Sequence, residues 1–251
     1  MYERLGINQQ SAGVQLIESY SWKGSESVLD IGCGDGRLTA LISELTNGDI
    51  IGVDQSVEMT NVATKNCPKG QFVCLNAEQI NLNDFGRYKV IFSNSVIHWF
   101  QSPESTIKKI GALLDDDGVW LLQTPTKAWC PSLQQVINDT YKQLSSDFVS
   151  CYSNPWFHLD GEKAYRALFG ELGFTTAYAS TSTVESKITN IEQLWSIFLS
   201  GPAQAFLNQS CYSLILPTDF EQQFKESFFE VAESANLDSV EFNRLFFKLK
   251  P

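Results

Sequence analysis

The stretch Ser27-Val28-Leu29-Asp30-Ile31-Gly32-Cys33-Gly34-Asp35-Gly36-Arg37-Leu38-Thr39-Ala40-Leu41 decides the fold. Val28, Leu29 and Ile31 make a short apolar run bounded by glycine, the pattern of a buried strand. Glycines follow at 32, 34 and 36, and then Leu38, Leu41, Ile42 and Leu45 recur at helical spacing. A strand therefore runs into a glycine-rich turn that opens a helix, the place where α/β folds hold nucleotides. Glycine there admits positive φ and close backbone approach to a ligand. The start of the helix adds N–H groups without helical partners. The spacing Gly-x-Gly-x-Gly after Asp30 differs from the Gly-x-Gly-x-x-Gly of dinucleotide-binding folds.

Working outward, residues 1–24 read as a lead-in with a helix whose Val14, Leu16, Ile17 and Tyr20 face the core. Its polar beginning is either a solvated tail or a lid. Asp49-Ile50-Ile51-Gly52-Val53-Asp54 reads as a second strand ending in a carboxylate, and one carboxylate can accept from two adjacent ribose hydroxyls. Ser56 is placed to cap the next helix. Gln71 to Leu75 reads as a third strand, and Tyr88 to Phe92 as a fourth that runs into Ser93, Asn94 and Ser95. Pro103 to Leu114 reads as a helix and Asp115-Asp116-Asp117-Gly118 as its solvated turn, not a metal site. Val119 to Pro125 is a fifth strand. This strand–helix alternation implies a parallel sheet with helices on both faces. Residues 126–159 and 189–237 interrupt it with aromatic-rich helical sequence. A β-prone run covers 175–188, and 240–249 alternates as a last strand.

Leu29 to Gly36 resembles the first motif of class I S-adenosylmethionine-dependent methyltransferases. The resemblance implies a Rossmann-like seven-stranded α/β sheet, six strands parallel and the last antiparallel. It also implies one domain over 1–251, with a lid at about 1–24 and a cofactor core at 25–125, 160–188 and 238–251. The insertions 126–159 and 189–237 would form a helical cap over the cofactor. In this family Asp30 supports the loop and the cofactor's amino group, and the backbone of Gly32, Cys33, Gly34 and Gly36 lies against its methionine end. Asp54, with Gln55 beside it, corresponds to the ribose-binding acid. Met59 lies against the adenine or in the core, and Ala77 and Glu78 follow on the adenine side. Asn76 stands where the family usually has aspartate, which leaves the Ala77 backbone as the firmer contact. Ser93, Asn94 and Ser95 complete the cofactor set.

Ile91-Phe92-Ser93-Asn94 followed by His98-Trp99 resembles a subgroup that methylates carboxylic acids. Its members are trans-aconitate, malonyl-carrier-protein and juvenile hormone acid methyltransferases. In that subgroup the tryptophan faces the substrate and a glutamine near the N-terminus holds its carboxylate, here Gln9 or Gln10. His98 is a substrate-facing group or a brace of its loop, and Trp99 a substrate contact or a core aromatic. A carboxylate acceptor is ionised at neutral pH and needs no base, whereas a hydroxyl or amine acceptor would need one, and His98 is the nearby choice. The expected activity is therefore O-methylation of a small carboxylic acid, with an acyl carrier protein as a further partner. The alternatives are an O- or N-methyltransferase using His98, a nicotinamide oxidoreductase, or an inactive S-adenosylmethionine-binding scaffold. Arg166 is the only arginine between 126 and 236, so a polyanionic acceptor is disfavoured and a monoacid preferred.

The 251 residues carry a formal net charge of −11 and so argue against a nucleic-acid surface. The start shows no secretory pattern and no apolar run is long enough to span a bilayer, so a cytoplasmic protein without membrane contact is expected. Six scattered cysteines with no Cys-x-x-Cys pair suggest neither zinc nor disulfides.

Overall fold

The computed structural model describes the backbone of residues 7–251 and side chains from Ser11 onward, Ser146 excepted. A first helix, α1 (Ile7–Glu18), precedes β1 (Val28–Ile31), α2 (Arg37–Ser43), β2 (Ile50–Asp54), α3 (Val57–Asn66) and β3 (Gln71–Cys74). Then come α4 (Leu82–Phe85), β4 (Tyr88–Asn94), α5 (Pro103–Gly111) and β5 (Leu114–Pro125). The helices α6 (Pro131–Leu144) and α7 (Ser146–Cys151) lead to α8 (Gly161–Glu171) and β6 (Thr175–Lys187). The chain closes with α9 (Ile191–Leu199), α10 (Ala203–Phe206), α11 (Phe220–Ala235) and β7 (Ser239–Lys250).

The strands form one seven-stranded sheet in the order β3-β2-β1-β4-β5-β7-β6. The β1–β2, β2–β3, β1–β4 and β4–β5 pairs are parallel, and β7 runs antiparallel to β5, with Trp120 opposite Leu249 and Pro125 opposite Arg244. Alternation along the strands divides their side chains between two cores. Leu29, Ile31, Ile91, Trp120, Leu122 and Phe247 face one side with α5 and α8, whose Ile107, Ile110, Tyr165 and Phe169 are buried there. Val28, Val90, Phe92, Leu121 and Phe246 face the other with Ala12, Leu16 and Ile17 of α1 and Ile42 of α2. From Ala12 the lead-in is thus part of the core.

The chain divides into two compact units. One comprises Gln9–Lys127, Phe157–Ser182 and Arg244–Pro251, which holds the sheet. The other includes Ala128–Trp156 and Thr183–Asn243, and its helices share a separate aromatic core of Trp195, Phe198, Phe220, Phe224 and Phe228. There the Tyr212 hydroxyl donates to the carbonyl of Phe206 (2.6 Å) and accepts from the Tyr141 hydroxyl. Ile188 and, from β7, Val240 and Phe242 also pack in this aromatic core.

One boundary differs from the sequence reading. The acidic run 115–117 is not a turn before the fifth strand but the exposed beginning of β5. Register shifts between Tyr88 and Val90, and cross-strand ion pairs Arg87–Asp116 (3.0 Å) and Lys89–Asp117 hold the carboxylates at the sheet's end.

Candidate active site

The glycine turn between β1 and α2 holds three left-handed residues, Gly32 (φ 71°), Gly34 (φ 53°) and Gly36 (φ 75°). They are not equivalent. A Cβ on Gly32 would lie 2.4 Å from Val96 Cγ2, and one on Gly36 would lie 2.8 Å from the Cα and Cβ of Ala63. A Cβ on Gly34 would meet nothing within 4 Å. Gly32 and Gly36 therefore allow close packing inside the protein, whereas Gly34 leaves an open face.

Asp54, at the end of β2, ties this turn to the next helix. Its Oδ2 accepts from Gly34 N–H (3.0 Å) and its Oδ1 from Ser56 N–H (2.9 Å). Each carboxylate oxygen has a second lone pair, so these bonds leave acceptor capacity for a ligand hydroxyl. Ser56 caps α3 as expected, accepting from Met59 N–H at 3.2 Å. Met59 is half-buried and Gln55 exposed.

Asp30 is buried beneath the turn, and its Oδ2 accepts from the Thr39 hydroxyl at 2.6 Å. Burial pushes its pKa up to about 7, the Thr39 bond opposes this, and the Asp54 charge adds to it. Cys33 is buried as well, with its thiol pushed up by burial and by Asp30. Asp30 and Cys33 thus lie under the loop.

Two expected cofactor contacts are engaged within the protein. Glu78 Oε1 accepts from Ser102 N–H (2.7 Å) and the Thr106 hydroxyl (3.3 Å) at the start of α5, where it satisfies a helix N-terminus. Ser93 is fully buried and its Oγ accepts from Trp120 Nε1 at 2.9 Å, because the indole of β5 needs a partner in the core. Asn76 caps the short turn Ala77–Gln79 by accepting from Glu78 N–H, and Ala77 is half-buried.

Beyond β4, Ser95 adopts φ 61°, in the left-handed region unfavourable for a residue with a Cβ. Its N–H donates to the Gln123 carbonyl (3.0 Å) and its hydroxyl to Gln123 Oε1 (2.7 Å). Arg244 Nη1 donates to the same Oγ at 3.2 Å. Asn94 is half-buried beside it. A 3-10 turn, Ile97–Trp99, then presents His98 and Trp99. His98 is buried, its carbonyl accepts from Phe157 N–H (2.9 Å), and its ring stacks on His158 with 5.6 Å between centroids. Burial, then His158, then Arg244 hold the His98 imidazole well below the usual histidine range, so it is neutral at pH 7. Trp99 is half-buried, its ring 5.3 Å from that of His98.

The structure thus brings Asp30, the three glycines, Cys33 and Asp54 together at one turn, and Ser95, His98 and Trp99 together after β4. Gln9 and Gln10 lie on α1, but their side chains fall outside the described residues. Arg244 and Gln123 escaped the sequence reading. Gln123 sits in an otherwise apolar strand and Arg244 at a polar position of an alternating one, so only β5–β7 register reveals them. Among the described residues no cluster of metal-ligating side chains occurs and no helix is long and apolar enough to cross a membrane.

A methyltransferase domain family model matches residues 9–179. The malonyl-[acyl-carrier protein] O-methyltransferase of Priestia megaterium is 30% identical over 159 residues, 61% of this chain and 52% of the enzyme. The trans-aconitate 2-methyltransferase of Rhodopseudomonas palustris is 31% identical over 106 residues, 42% of this chain and 41% of that enzyme. Each matched stretch covers only about half, or less, of these two relatives' own length. The magnesium protoporphyrin IX methyltransferase of Synechocystis, solved with bound SAH, superposes with a TM-score of 0.55 at 13% identity, over 97% of this chain and 82% of that one. With the family match spanning most of the chain and the sheet order in agreement, this protein belongs to the S-adenosylmethionine-dependent methyltransferases.

Proposed function

We propose that this enzyme binds S-adenosylmethionine at the turn after β1 and transfers its methyl group to a carboxylate of a small acid. The cofactor fits the residues present. Gly34 leaves space where any other residue would project a side chain, and Asp54 retains lone pairs for a pair of hydroxyls. When bound, the cofactor supplies a methyl already activated on a sulfonium, so transfer forms an O–CH3 bond, breaks the S–CH3 bond and leaves the electron pair on sulfur.

The chain's own contribution is alignment. Asp54 fixes Gly34 and the start of α3 at once, which sets the shape of the loop a cofactor would meet. Asp30 and Thr39 hold the turn from below. After β4, the left-handed turn at Ser95 places His98 and Trp99 at the carboxyl end of the sheet, where such folds carry their ligands.

The observation that carries the carboxylate reading is electrostatic. His98 and the His158 stacked on it are held neutral by burial, and Arg244, bonded to Ser95, adds a fixed positive charge near His98. That field favours an acceptor that arrives as an anion. The names of the two relatives, for malonyl-carrier protein and trans-aconitate, point to the same chemistry.

A second reading has one observation in its favour. His98 Nδ1 is buried without a hydrogen-bond partner among the described residues, and a neutral imidazole nitrogen suits a general base for a hydroxyl or amine acceptor. Transfer of a radiolabelled methyl group to a panel of acids, alcohols and amines separates the two. Alkali-labile product, released as methanol and retained by His98→Ala, supports the ester. Alkali-stable product lost in His98→Ala supports the base.

A further inference from the structure

Ser95 and Asn236 are the two non-glycine residues with positive φ among the described residues. Asn236 ends α11 as a left-handed cap, an ordinary use of that conformation. Ser95 ends no helix. It follows the last residue of β4, and bonds from two other strands hold its backbone at φ 61°. Its N–H donates to the Gln123 carbonyl at 3.0 Å. A guanidinium only donates, so Arg244 Nη1, 3.2 Å from Ser95 Oγ, sets the direction of the hydroxyl. The hydroxyl proton then goes to Gln123 Oε1 at 2.7 Å. Strained backbone of this kind persists where surrounding bonds over-determine it, and it concentrates at ligand sites.

The effect of this turn is felt one residue later. Asn94 is paired in register with Gln123, and Ile97 is fully buried in the core. Ser95 and Val96 close the gap between these two fixed points, so φ at 95 decides where the Val96 side chain lies. That side chain packs on Gly32, where an added Cβ would come within 2.4 Å of Val96 Cγ2. Gly32 begins the glycine turn. On the β2 side the turn is held by Gly32 and Cys33 N–H on the Val53 carbonyl (2.7 and 3.0 Å) and by Gly34 N–H on Asp54. On the β4 side it meets Val96.

We propose that Ser95 is a positioning residue for S-adenosylmethionine: the left-handed turn imposed on it by Gln123 and Arg244 seats Val96 on Gly32 and fixes the β4 side of the cofactor loop. The inference rests on the cofactor reading and adds to it a residue that acts through its neighbours. The glycine turn is clamped between β2 and the exit of β4, so its shape is set before a ligand arrives. A loop ordered in advance lowers the cost of binding. Through Arg244 the last strand takes part in shaping a loop formed near the beginning of the chain.

The test is calorimetric titration of the full chain with S-adenosylhomocysteine, with thermal melts on the same samples. Ser95→Ala and Ser95→Gly both strip the hydroxyl from Arg244 and Gln123, and both keep the N–H that bonds the Gln123 carbonyl. They differ in backbone cost, since alanine resists the left-handed region and glycine does not. Wild type is expected to bind, Ser95→Ala to bind about tenfold more weakly or worse, and Ser95→Gly to stay within about twofold of wild type. Should Ser95→Ala not fold, Val96→Ala carries the test. It leaves Ser95 alone, takes the packing off Gly32, and is expected to weaken binding by about threefold or more. Val96→Ala at wild-type affinity overturns the proposal. A lower melting temperature in Ser95→Ala with affinity unchanged makes the turn merely structural and also overturns it. Equal losses in Ser95→Ala and Ser95→Gly put the hydroxyl itself on the ligand, which overturns it as well. In these cases wild type still binds and the cofactor reading stands. If wild type does not bind S-adenosylhomocysteine, both fall together.

Discussion

The imidazole of His158 stacks on that of His98 at 20° from parallel, inside the unit that holds the sheet. Burial lowers both, His158 to about 4 from the usual 6.5. In the unfolded chain each ring takes up a proton near pH 6.5, while the folded chain resists until far lower. The stability they contribute is thus full above about pH 6.5 and is lost as pH falls toward about 4. His158 accounts for about 2 kcal/mol of this once solvent access to its half-buried ring is allowed for. Denaturant midpoints measured between about pH 4.5 and 7 should show a shallower acid loss in His158→Phe, which keeps the ring contact but cannot titrate. An unchanged slope would mean that the pair is already charged in the folded state.

Asp30 works in the opposite direction. Its folded pKa of about 7 lies above the ordinary 3.8, so the native state holds the proton more tightly than the unfolded chain does. The stability tied to that proton is present below about pH 4 and is lost as pH rises toward 7, at up to about 1.4 kcal/mol per pH unit. Asp30→Asn keeps an oxygen for the Thr39 hydroxyl and removes the titration. In that variant, without ligand, stability should rise more steeply from acid to neutral pH than in wild type, because the histidine effect is no longer offset. A slope identical to wild type would show Asp30 ionised throughout.

The three glycines of the turn should separate under substitution. Gly36→Ala drives a methyl group into Ala63 and is expected to destabilise by about 2–4 kcal/mol, since α3 must move and φ is left-handed. Gly34→Ala meets no protein atom, so only the backbone conformation costs, about 1–2 kcal/mol. Its affinity for S-adenosylhomocysteine should nonetheless fall by about tenfold or more, because the new methyl group occupies the open face. Thermal melts and ligand titrations on the same samples check both. Equal ligand affinity in Gly34→Ala and wild type would place the cofactor elsewhere.

Glu78 serves α5, so its removal should be felt in stability and not in binding. Glu78→Ala is expected to lower stability by about 1 kcal/mol, in the range of a lost helix cap, with affinity for S-adenosylhomocysteine unchanged. Glu78→Gln, which keeps the acceptor oxygen, should lose less. A large drop in ligand affinity with no change in melting would return Glu78 to the binding site.

Strands one to four were legible because each is a short apolar run ended by glycine or by a carboxylate or small polar residue. Ser56 as a cap was legible from its place before a helical repeat. The beginning of β5 was not, because Asp115 to Asp117 carry turn-like composition, while Lys89 of β4 and Arg87 just before it pair with Asp117 and Asp116. That Asp54 and the glycines meet at one turn was legible, but which glycine faces outward depends on Val96 and Ala63, residues far away in sequence. Glu78 and Ser93 sit at positions suited to a cofactor, yet a helix terminus and an indole claim them. Only pairing across the sheet exposes Arg244, since a lone arginine in an alternating strand reads as a solvent-facing residue.

The sheet order β5-β7-β6 has a consequence for assembly. Trp120 finds its neighbour Leu249 only after the whole helical unit has been synthesised. Until then β5 has an open edge and β6 has no place to dock, although β1 to β4 can already pair. A nascent chain therefore carries that unpaired edge through residues 126–238 before β7 can cover it. The strand that covers this edge is also the one that carries Arg244 to Ser95, a contact between residues 149 apart in the chain.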